Sequence, residues 1–272
     1  MSRVDQVNNK EQNERIREQF TKTAEVFGTF AVATRGGEAE WLANAVRAGK
    51  KDRAIDVACG PGSMTLPLAR QVAWICGFDL TPAMLTRAKR SAKDARLRNL
   101  DVAIGDAGRL PFANAALDIA ITSYSLHHMP DAARVIGEMA RVVRKGGRVG
   151  VVDIRLEEDP AVEALNTRIE RLRDESHTRT LRRSEFDAIF AASRLRPIAA
   201  EIREGARQFD HWLHVAGLHP GDARYGETRQ LMESTMGNDA AGFYPRYEAA
   251  TAGAKKELMI TNTVLLMAGE KE

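Results

Sequence analysis

The sequence predicts an α/β fold: a doubly wound, mainly parallel sheet of seven strands, with an N-terminal helical lid and a helical insertion late in the chain. An apolar run over residues 54–58 ends in a turn with Gly60 and Gly62 and opens into a helix-like stretch. A second apolar run, over residues 72–78, ends on Asp79. Short apolar runs and helix-like stretches then alternate along the chain, which is typical of βαβ units and of a Rossmann-like sheet.

The segment before the first strand predicts two helices. Residues 1–10 are polar, and we expect them to be disordered. From 11 to 27, apolar residues recur at every third or fourth position, which predicts a helix with one apolar face. A second helix is predicted over 38–48 and ends before Gly49.

The remaining elements follow in regular alternation. Strands are predicted at 53–58, 72–78, 102–106, 117–122, 148–154, 198–202 and 258–267. Helices are predicted at 63–70, 82–93, 131–144, 161–173 and 184–193. Pro82 suits the first position of its helix, with Thr81 as the cap.

We expect one domain over residues 1–272. Its parts are N-terminal helices over 11–49, a core over 50–204 and 257–268, and a substrate-side insertion over 205–250 that is rich in Gly, His, Trp and Tyr.

Composition indicates an ordinary globular enzyme. Hydrophobic residues make up 44% and charged residues 28% of the chain, which is enough for a sizeable core. The net charge of +3 is too small to suggest a nucleic-acid partner, and none is expected. No apolar run approaches the roughly 18 residues of a membrane span. Cys59 and Cys76 are predicted to be buried thiols of a cytoplasmic protein, and without a zinc-type Cys/His spacing no metal is expected.

The residues around the glycine turn narrow the choice of ligand. Glycines let the backbone approach a ligand closely, and Asp79 can accept hydrogen bonds from both hydroxyls of a ribose. A dinucleotide turn needs a third small residue where this chain has Thr65, and Asp56 would repel a pyrophosphate. Asp56 suits a ligand with an ammonium group instead. S-adenosylmethionine has an ammonium, a ribose and no phosphate.

The stretch Asp56-Val57-Ala58-Cys59-Gly60-Pro61-Gly62 resembles the first motif of the class I S-adenosylmethionine-dependent methyltransferases, acid-x-x-x-Gly-x-Gly. Later motifs extend the resemblance to about residues 15–195 and indicate the branch with the ubiquinone/menaquinone C-methyltransferases. These motifs are Gly105-Asp106-Ala107, Leu110-Pro111-Phe112, Leu117-Asp118-Ile119-Ala120, Tyr124-Ser125-Leu126-His127-His128-Met129-Pro130-Asp131 and the stretch 138–148.

The resemblance implies S-adenosylmethionine as cofactor and S-adenosylhomocysteine as its product. In the family, an acid at the position of Asp106 bonds the adenine amino group, and Leu80 and Met84 would form apolar walls for the adenine. The branch usually has a Tyr near the cofactor carboxylate where this chain has Phe27. The expected cofactor-binding residues are Asp56, Ala58, Gly60, Gly62, Asp79, Leu80, Met84, Gly105, Asp106, Ala107 and Ser123.

The expected reaction moves a methyl group to O, N or C of a small-molecule acceptor, for which an aromatic or quinone-like molecule is one option. His127 and His128, after the fourth strand, are candidate general bases, although the pair could instead only shape its loop. Aromatic and His side chains outside the core motifs are the candidates for an acceptor pocket. These are Phe20, Phe27, His177, His211, Trp212, Phe243 and Tyr244.

Two alternatives from other classes stay open at this point: a nicotinamide-dependent dehydrogenase, and a non-catalytic module that binds S-adenosylmethionine. Thr65 and Asp56 speak against the dehydrogenase. A homodimer is possible.

Overall fold

A computed structural model describes residues 3–249 and 256–272 of the chain. The helices are α1 (Arg3–Lys22), α2 (Ala24–Thr34), α3 (Gly36–Ala45), α4 (Thr65–Ala69), α5 (Pro82–Asp94), α6 (Ala132–Val142), α7 (Glu163–Arg173), α8 (Arg183–Ala192), α9 (Phe209–Val215) and α10 (Ala223–Glu233). The strands are β1 (Arg53–Val57), β2 (Trp74–Asp79), β3 (Leu100–Ile104), β4 (Leu117–Ser123), β5 (Val143–Leu156), β6 (Leu181–Arg182), β7 (Leu195–Gln208), β8 (Arg246–Ala249) and β9 (Lys256–Lys271). Short 3-10 turns cover Leu126–His128 and Pro160–Val162.

Seven strands form a continuous sheet in the order β3-β2-β1-β4-β5-β9-β7. Neighbours from β3 to β5 are parallel, and β9 runs antiparallel to both β5 and β7. The prediction of a doubly wound, mainly parallel seven-stranded sheet is therefore confirmed. Within the described residues the short strands β6 and β8 extend the sheet, by pairing with β5 and β9. The strand order reverses at β1, and ligands of such sheets bind at the carboxyl ends of the strands beside that point.

Helices cover both faces of the sheet. On one face, α6 and α8 contribute Ile136, Met139, Phe186 and Phe190 to a buried cluster with the strands. On the other face, α3 and α4 do the same through residues such as Leu42 and Leu68. A third cluster joins α7, α9 and α10 to β9 and so anchors the late insertion to the sheet. Among the described residues, no helix combines the length and apolar character that crossing a bilayer requires.

The N-terminal segment differs from the prediction. Residues 3–10 belong to α1, so the expected disorder is wrong for them, and residues 1 and 2 lie outside the described residues. Polar composition does not exclude a helix over these residues, because they continue without a break into the part of α1 that holds the buried side chains of Gln12 and Ile16. The single helix expected over 11–27 breaks at Thr23, whose hydroxyl donates to the carbonyl of Gln19.

Two further differences concern the strands and a cap. Strands β7 and β9 are longer than predicted, because each pairs with the other over most of its length. Thr81 makes no capping hydrogen bond to α5. Asp79 Oδ1 instead accepts the hydrogen bond from the Thr81 backbone nitrogen, at 2.8 Å. Both cysteines are free and buried, as expected.

Candidate active site

A left-handed turn follows β1. Ala58, Gly60 and Gly62 have φ of 55°, 52° and 92°, a region that glycine enters without steric cost. A side chain at Gly60 would meet open space, whereas one at Gly62 would lie 3.1 Å from Leu66 of α4. The Gly60 backbone is therefore open to the cleft above the strands, whereas Gly62 allows the turn to pack closely against Leu66. Ala58 holds a conformation that is unfavourable for a residue with a Cβ.

Asp79 fastens this turn to the end of β2. Its Oδ2 accepts a hydrogen bond from the Gly60 backbone nitrogen at 2.8 Å, while its Oδ1 binds the backbone of Thr81. Burial raises the pKa of Asp79 above its ordinary value, although these backbone donors act in the opposite direction. Each carboxylate oxygen has a second lone pair, so the side chain can still accept hydrogen bonds from two ligand hydroxyls.

Asp56 lies out of direct reach of the cleft. It is fully buried, its Oδ2 accepts a hydrogen bond from the Thr65 hydroxyl at 2.5 Å, and its Oδ1 has no partner among the described residues. Burial is the main cause that raises its pKa to about 7. The hydroxyl of Thr65 opposes that shift, and the charge of Asp79 adds to it.

A cleft of about 710 Å³ opens at the carboxyl ends of β1 to β4. Of the predicted cofactor-binding residues, all but Asp56 and Gly62 line it. These are Ala58, Gly60, Asp79, Leu80, Met84, Gly105, Asp106, Ala107 and Ser123. The acids at the ends of β2 and β3 thus share one cavity, as the parallel sheet requires.

The lid helices close this cleft through polar contacts. Gln12 of α1 donates to the backbone carbonyl of His128 at 3.0 Å. Asn13 donates to Asp106 Oδ2 at 3.1 Å. Gln19 reaches the carbonyl of Ala216, just after α9, at 3.0 Å. The lid is therefore fastened to the β4 loop, to the acid after β3 and to the late insertion.

Sequence reasoning missed Arg35, which lies between α2 and α3 and lines the cleft. Its side chain is 7% exposed, and its Cζ lies 3.9 Å from the ring centroid of Tyr124 and 5.2 Å from that of Phe27. The Arg35 Nε is buried with no partner among the described residues. Burial lowers the pKa of Arg35 to about 10, so it stays charged at neutral pH. No local pattern marks this residue, because its burial depends on helices packed from either side.

His127 forms a buried pair with an acid of β5. Its Nδ1 lies 2.5 Å from Asp153 Oδ1. Asp153 Oδ2 accepts a hydrogen bond from the backbone nitrogen of Leu126 at 2.7 Å. Burial alone would raise the pKa of Asp153, but the charge of His127 and these hydrogen bonds hold it below its ordinary value. The carboxylate on Nδ1 leaves Nε2 of neutral His127 as the nitrogen with a free lone pair.

His128 has a different environment. Its Nδ1 lies 3.1 Å from the hydroxyl of Ser176, which donates to Asp174 Oδ1 at 2.6 Å. Burial, followed by the charge of His127, lowers the pKa of His128 to about 4. The third histidine, His177, lies with its ring centroid 5.4 Å from that of His127. Among the described residues, no group of three or more His, Cys, Asp or Glu side chains is arranged to hold a metal ion.

A second cavity, of about 600 Å³, meets the cleft. The two share the walls Phe20, Phe27, Arg35, Tyr124 and His128. Other side chains line the second cavity but not the cleft, and they include His127, Phe30, Glu170, Arg173, Asp174, Arg207, Trp212 and Asn262.

The predicted acceptor residues are only partly brought together. Phe20 and Phe27 line both cavities, and Trp212 lines the second. His211 lines a neighbouring hollow with Phe30 and Arg207. The remaining three lie outside both cavities. His177 packs against His127, Phe243 packs against Trp212 at 5.6 Å between centroids, and exposed Tyr244 hydrogen-bonds to Glu157.

A Rossmann-like sheet with a glycine turn, a ribose-type acid and a closing lid defines a nucleotide-binding α/β enzyme. A family model described as "Methyltransferase domain" matches residues 55–151. The uncharacterized methyltransferase YcgJ of Bacillus subtilis is 30% identical over 203 residues, which cover 75% of this chain and 80% of that protein. The chain therefore belongs to the S-adenosylmethionine-dependent methyltransferases, and it transfers a methyl group from that cofactor.

Three further matches have lower sequence identity. The demethylmenaquinone methyltransferase of Lactobacillus johnsonii is 26% identical, over 57% of this chain and 66% of that protein. The crystal structure of YcgJ covers 87% of this chain and 99% of its own, with a TM-score of 0.76 and 24% identity. A geranyl diphosphate methyltransferase in complex with S-adenosylmethionine has a TM-score of 0.61 and 17% identity, over 87% of this chain and 85% of its own. These structural likenesses establish the fold. The methyltransferase family excludes the dehydrogenase alternative.

Proposed function

We propose that the cleft is the cofactor site and that the second cavity holds the acceptor. The observation that carries this proposal is that two cavities meet at shared walls, beside a pair of histidines. When bound, S-adenosylmethionine supplies a methyl group that is already activated on a sulfonium. The chain therefore needs mainly to align the acceptor with it, and positioning of this kind can contribute roughly 7–11 kcal/mol in favourable cases.

In this proposal the carboxyl ends of the strands hold the nucleoside. Asp79 accepts hydrogen bonds from the ribose hydroxyls, and Gly60 lets the backbone lie close to the cofactor. Asp106 accepts a hydrogen bond from the adenine amino group. The carboxylate of the methionine moiety needs a cation, and Arg35 is a buried cation on the cleft wall. It lies over the ring of Phe27, the residue that replaces the Tyr usual in this branch. We assign the carboxylate contact to Arg35.

His127 is the better candidate for a general base. Asp153 orients its ring and stabilises its charged form, as the acid does in a catalytic triad. Nε2 would take the proton of a phenol or enol acceptor as the new bond forms. His128, with a pKa near 4, stays neutral and contributes to the shape and hydrogen bonding of the junction.

The acceptor is proposed to be a flat, partly aromatic small molecule. Phe20, Phe27 and Trp212 supply apolar walls of the kind that such ligands favour. Relatives named demethylmenaquinone methyltransferase support a quinone-like ring. The cytoplasmic location, the homodimer and the domain boundaries expected from the sequence stay predictions.

Calorimetry with S-adenosylhomocysteine tests the cofactor site. Hydrogen bonds to a charged group contribute about 1.5–3 kcal/mol each, so Asp79→Ala should weaken binding roughly ten- to hundredfold or more. Asp94→Ala, which removes an exposed acid at the end of α5, is the matched control and should bind normally. Unchanged affinity in a folded Asp79→Ala protein would refute the assignment.

A further inference from the structure

The charges of the second cavity do not balance. Its carboxylates, Glu170 and Asp174, are already engaged. Glu170 Oε2 pairs with Arg173 Nη1 at 3.2 Å. Asp174 Oδ1 accepts hydrogen bonds from both the backbone nitrogen and the hydroxyl of Ser176. Arg173 also donates to the carbonyl of Trp212 at 3.1 Å. These groups therefore satisfy one another without a ligand.

Arg207 of β7 has no such partner. Its Cζ lies 5.2 Å from the ring centroid of Phe30, and no oxygen atom of the described residues accepts a hydrogen bond from it. Burial and the charge of Arg173 lower its pKa, whereas the charges of Tyr124, Glu170 and Glu38 raise it. A half-buried guanidinium costs free energy unless its donors are satisfied.

Asn262 of β9 is a second unsatisfied group in this cavity. Its Oδ1 is buried and has no partner among the described residues. Arg207 and Asn262 lie on the paired strands β7 and β9, and neither residue lines the cofactor cleft. The cavity thus leaves a guanidinium, which needs an acceptor, and an amide oxygen, which needs a donor, without hydrogen-bond partners among the described residues.

We propose that the acceptor carries a carboxylate, which binds Arg207 while the acceptor's aromatic part lies among Phe20, Phe27 and Trp212. This inference rests on the proposed acceptor role of the second cavity. The guanidinium fork matches the two oxygens of a carboxylate, and the aromatic walls exclude water from the pair. The nucleophilic atom then lies at the other end of the molecule, toward His127 and His128. The acceptor class is an aromatic acid, and a neutral quinone lacks the group that Arg207 would bind.

The test uses matched probes on protein saturated with S-adenosylhomocysteine. Benzoate and 4-hydroxybenzoate are compared with benzamide and 4-hydroxybenzamide by calorimetry. A charge-assisted contact should favour each carboxylate by about tenfold or more over its amide. Arg207→Met should abolish the preference, and Arg207→Lys should retain part of it because it keeps the charge.

Arg196→Met is the matched control, because Arg196 lies at the other end of β7 and pairs with Glu270 at 2.9 Å. It should keep the full preference. Equal binding of acids and amides to the unmodified protein overturns the inference, as does a preference that survives Arg207→Met. Affinity for S-adenosylhomocysteine separates this inference from the proposed cofactor site. Arg207 lies outside the cleft, so Arg207→Met should bind the nucleoside normally, and loss of that binding in the unmodified protein would contradict the cofactor site instead.

Discussion

The pKa values of the buried acids beside the glycine turn and of those beside the histidine pair shift in opposite directions. Beside the glycine turn, burial raises the pKa of Asp56 and of Asp79. Beside the histidines, Asp153 and Asp174 are also buried, yet their pKa values are lowered, because interaction with the neighbouring histidine and hydrogen bonds to each carboxylate outweigh the cost of burial. Burial penalises all four carboxylates, and the partners of each carboxylate decide the sign of the shift.

This difference in pKa corresponds to two different roles of the acids, ligand binding and orientation of the histidine rings. The acids beside the glycine turn accept hydrogen bonds from backbone N–H groups and from the Thr65 hydroxyl, and of the two Asp79 lines the cleft, where it can bind a polar ligand. The acids beside the histidines fix the rings of His127 and His128, directly or through Ser176. Binding and proton transfer are therefore assigned to neighbouring regions with different electrostatics. Three experiments sharpen or break this comparison, besides the tests on Asp79 and Arg207.

The largest effect is expected for His127→Ala. General-base catalysis contributes about a hundredfold or more, so turnover of labelled methyl groups with a phenolic acceptor should fall by that factor. Affinity for S-adenosylhomocysteine should not change, because His127 does not line the cofactor cleft. His219→Ala, which changes an exposed histidine, is the control. Near-normal turnover of His127→Ala would show that the histidine pair is structural and that positioning carries the catalysis.

Arg35→Met should have a smaller effect that depends on the ligand. S-adenosylhomocysteine has a carboxylate, and 5′-methylthioadenosine lacks it. Loss of one charge-assisted contact should weaken binding of the first ligand by about tenfold and leave the second almost unchanged. Calorimetry with both ligands measures the difference. An equal loss for both would mean that Arg35 supports the packing of the lid and not the carboxylate.

The third experiment concerns the pH dependence of stability. The pKa of Asp56 rises from 3.8 to about 7, so between these values the folded state holds a proton that the unfolded state has lost. The contribution of Asp56 to the stability of the folded state is present below about pH 4 and is lost as pH rises through 7. For His128, whose pKa falls from 6.5 to about 4, the contribution is present above 6.5 and is lost as pH falls toward 4.

Urea unfolding of the ligand-free protein from pH 4 to 7.5 measures both contributions. Asp56→Asn should become more stable relative to wild type as pH rises, by about 1 kcal/mol per pH unit. His128→Gln should gain relative to wild type as pH falls. If the free energy of unfolding of either variant differs from that of wild type by the same amount at every pH, the pKa shift assigned to that residue is wrong.

Much of the cofactor cleft could be predicted from the sequence. The turn at Gly60 and the acid Asp79 each follow an apolar run directly, and parallel pairing of β1 with β2 brings the two together. The same logic located Asp106 and Ser123 at the ends of β3 and β4. Asp56 shows the limit of this logic, since it is the penultimate residue of β1 and its side chain is buried against Thr65 of α4, outside the lining of the cleft. Short sequence motifs and the rules of sheet geometry are sufficient to predict a site that is built from the ends of neighbouring parallel strands.

The sequence by itself thus determined the α/β sheet, the glycine turn, the cofactor and the methyl-transfer class. Tertiary structure alone decided which partners meet around the histidine pair and which further side chains line the second cavity. Asp153 meets His127 across 26 positions, and Gln12 meets the Ser176 carbonyl across 164. Arg35 and Arg207, which no local pattern marks, come from a helix junction and a strand. Contacts between elements so distant in the chain leave no local periodicity, because they depend on how whole helices and strands pack.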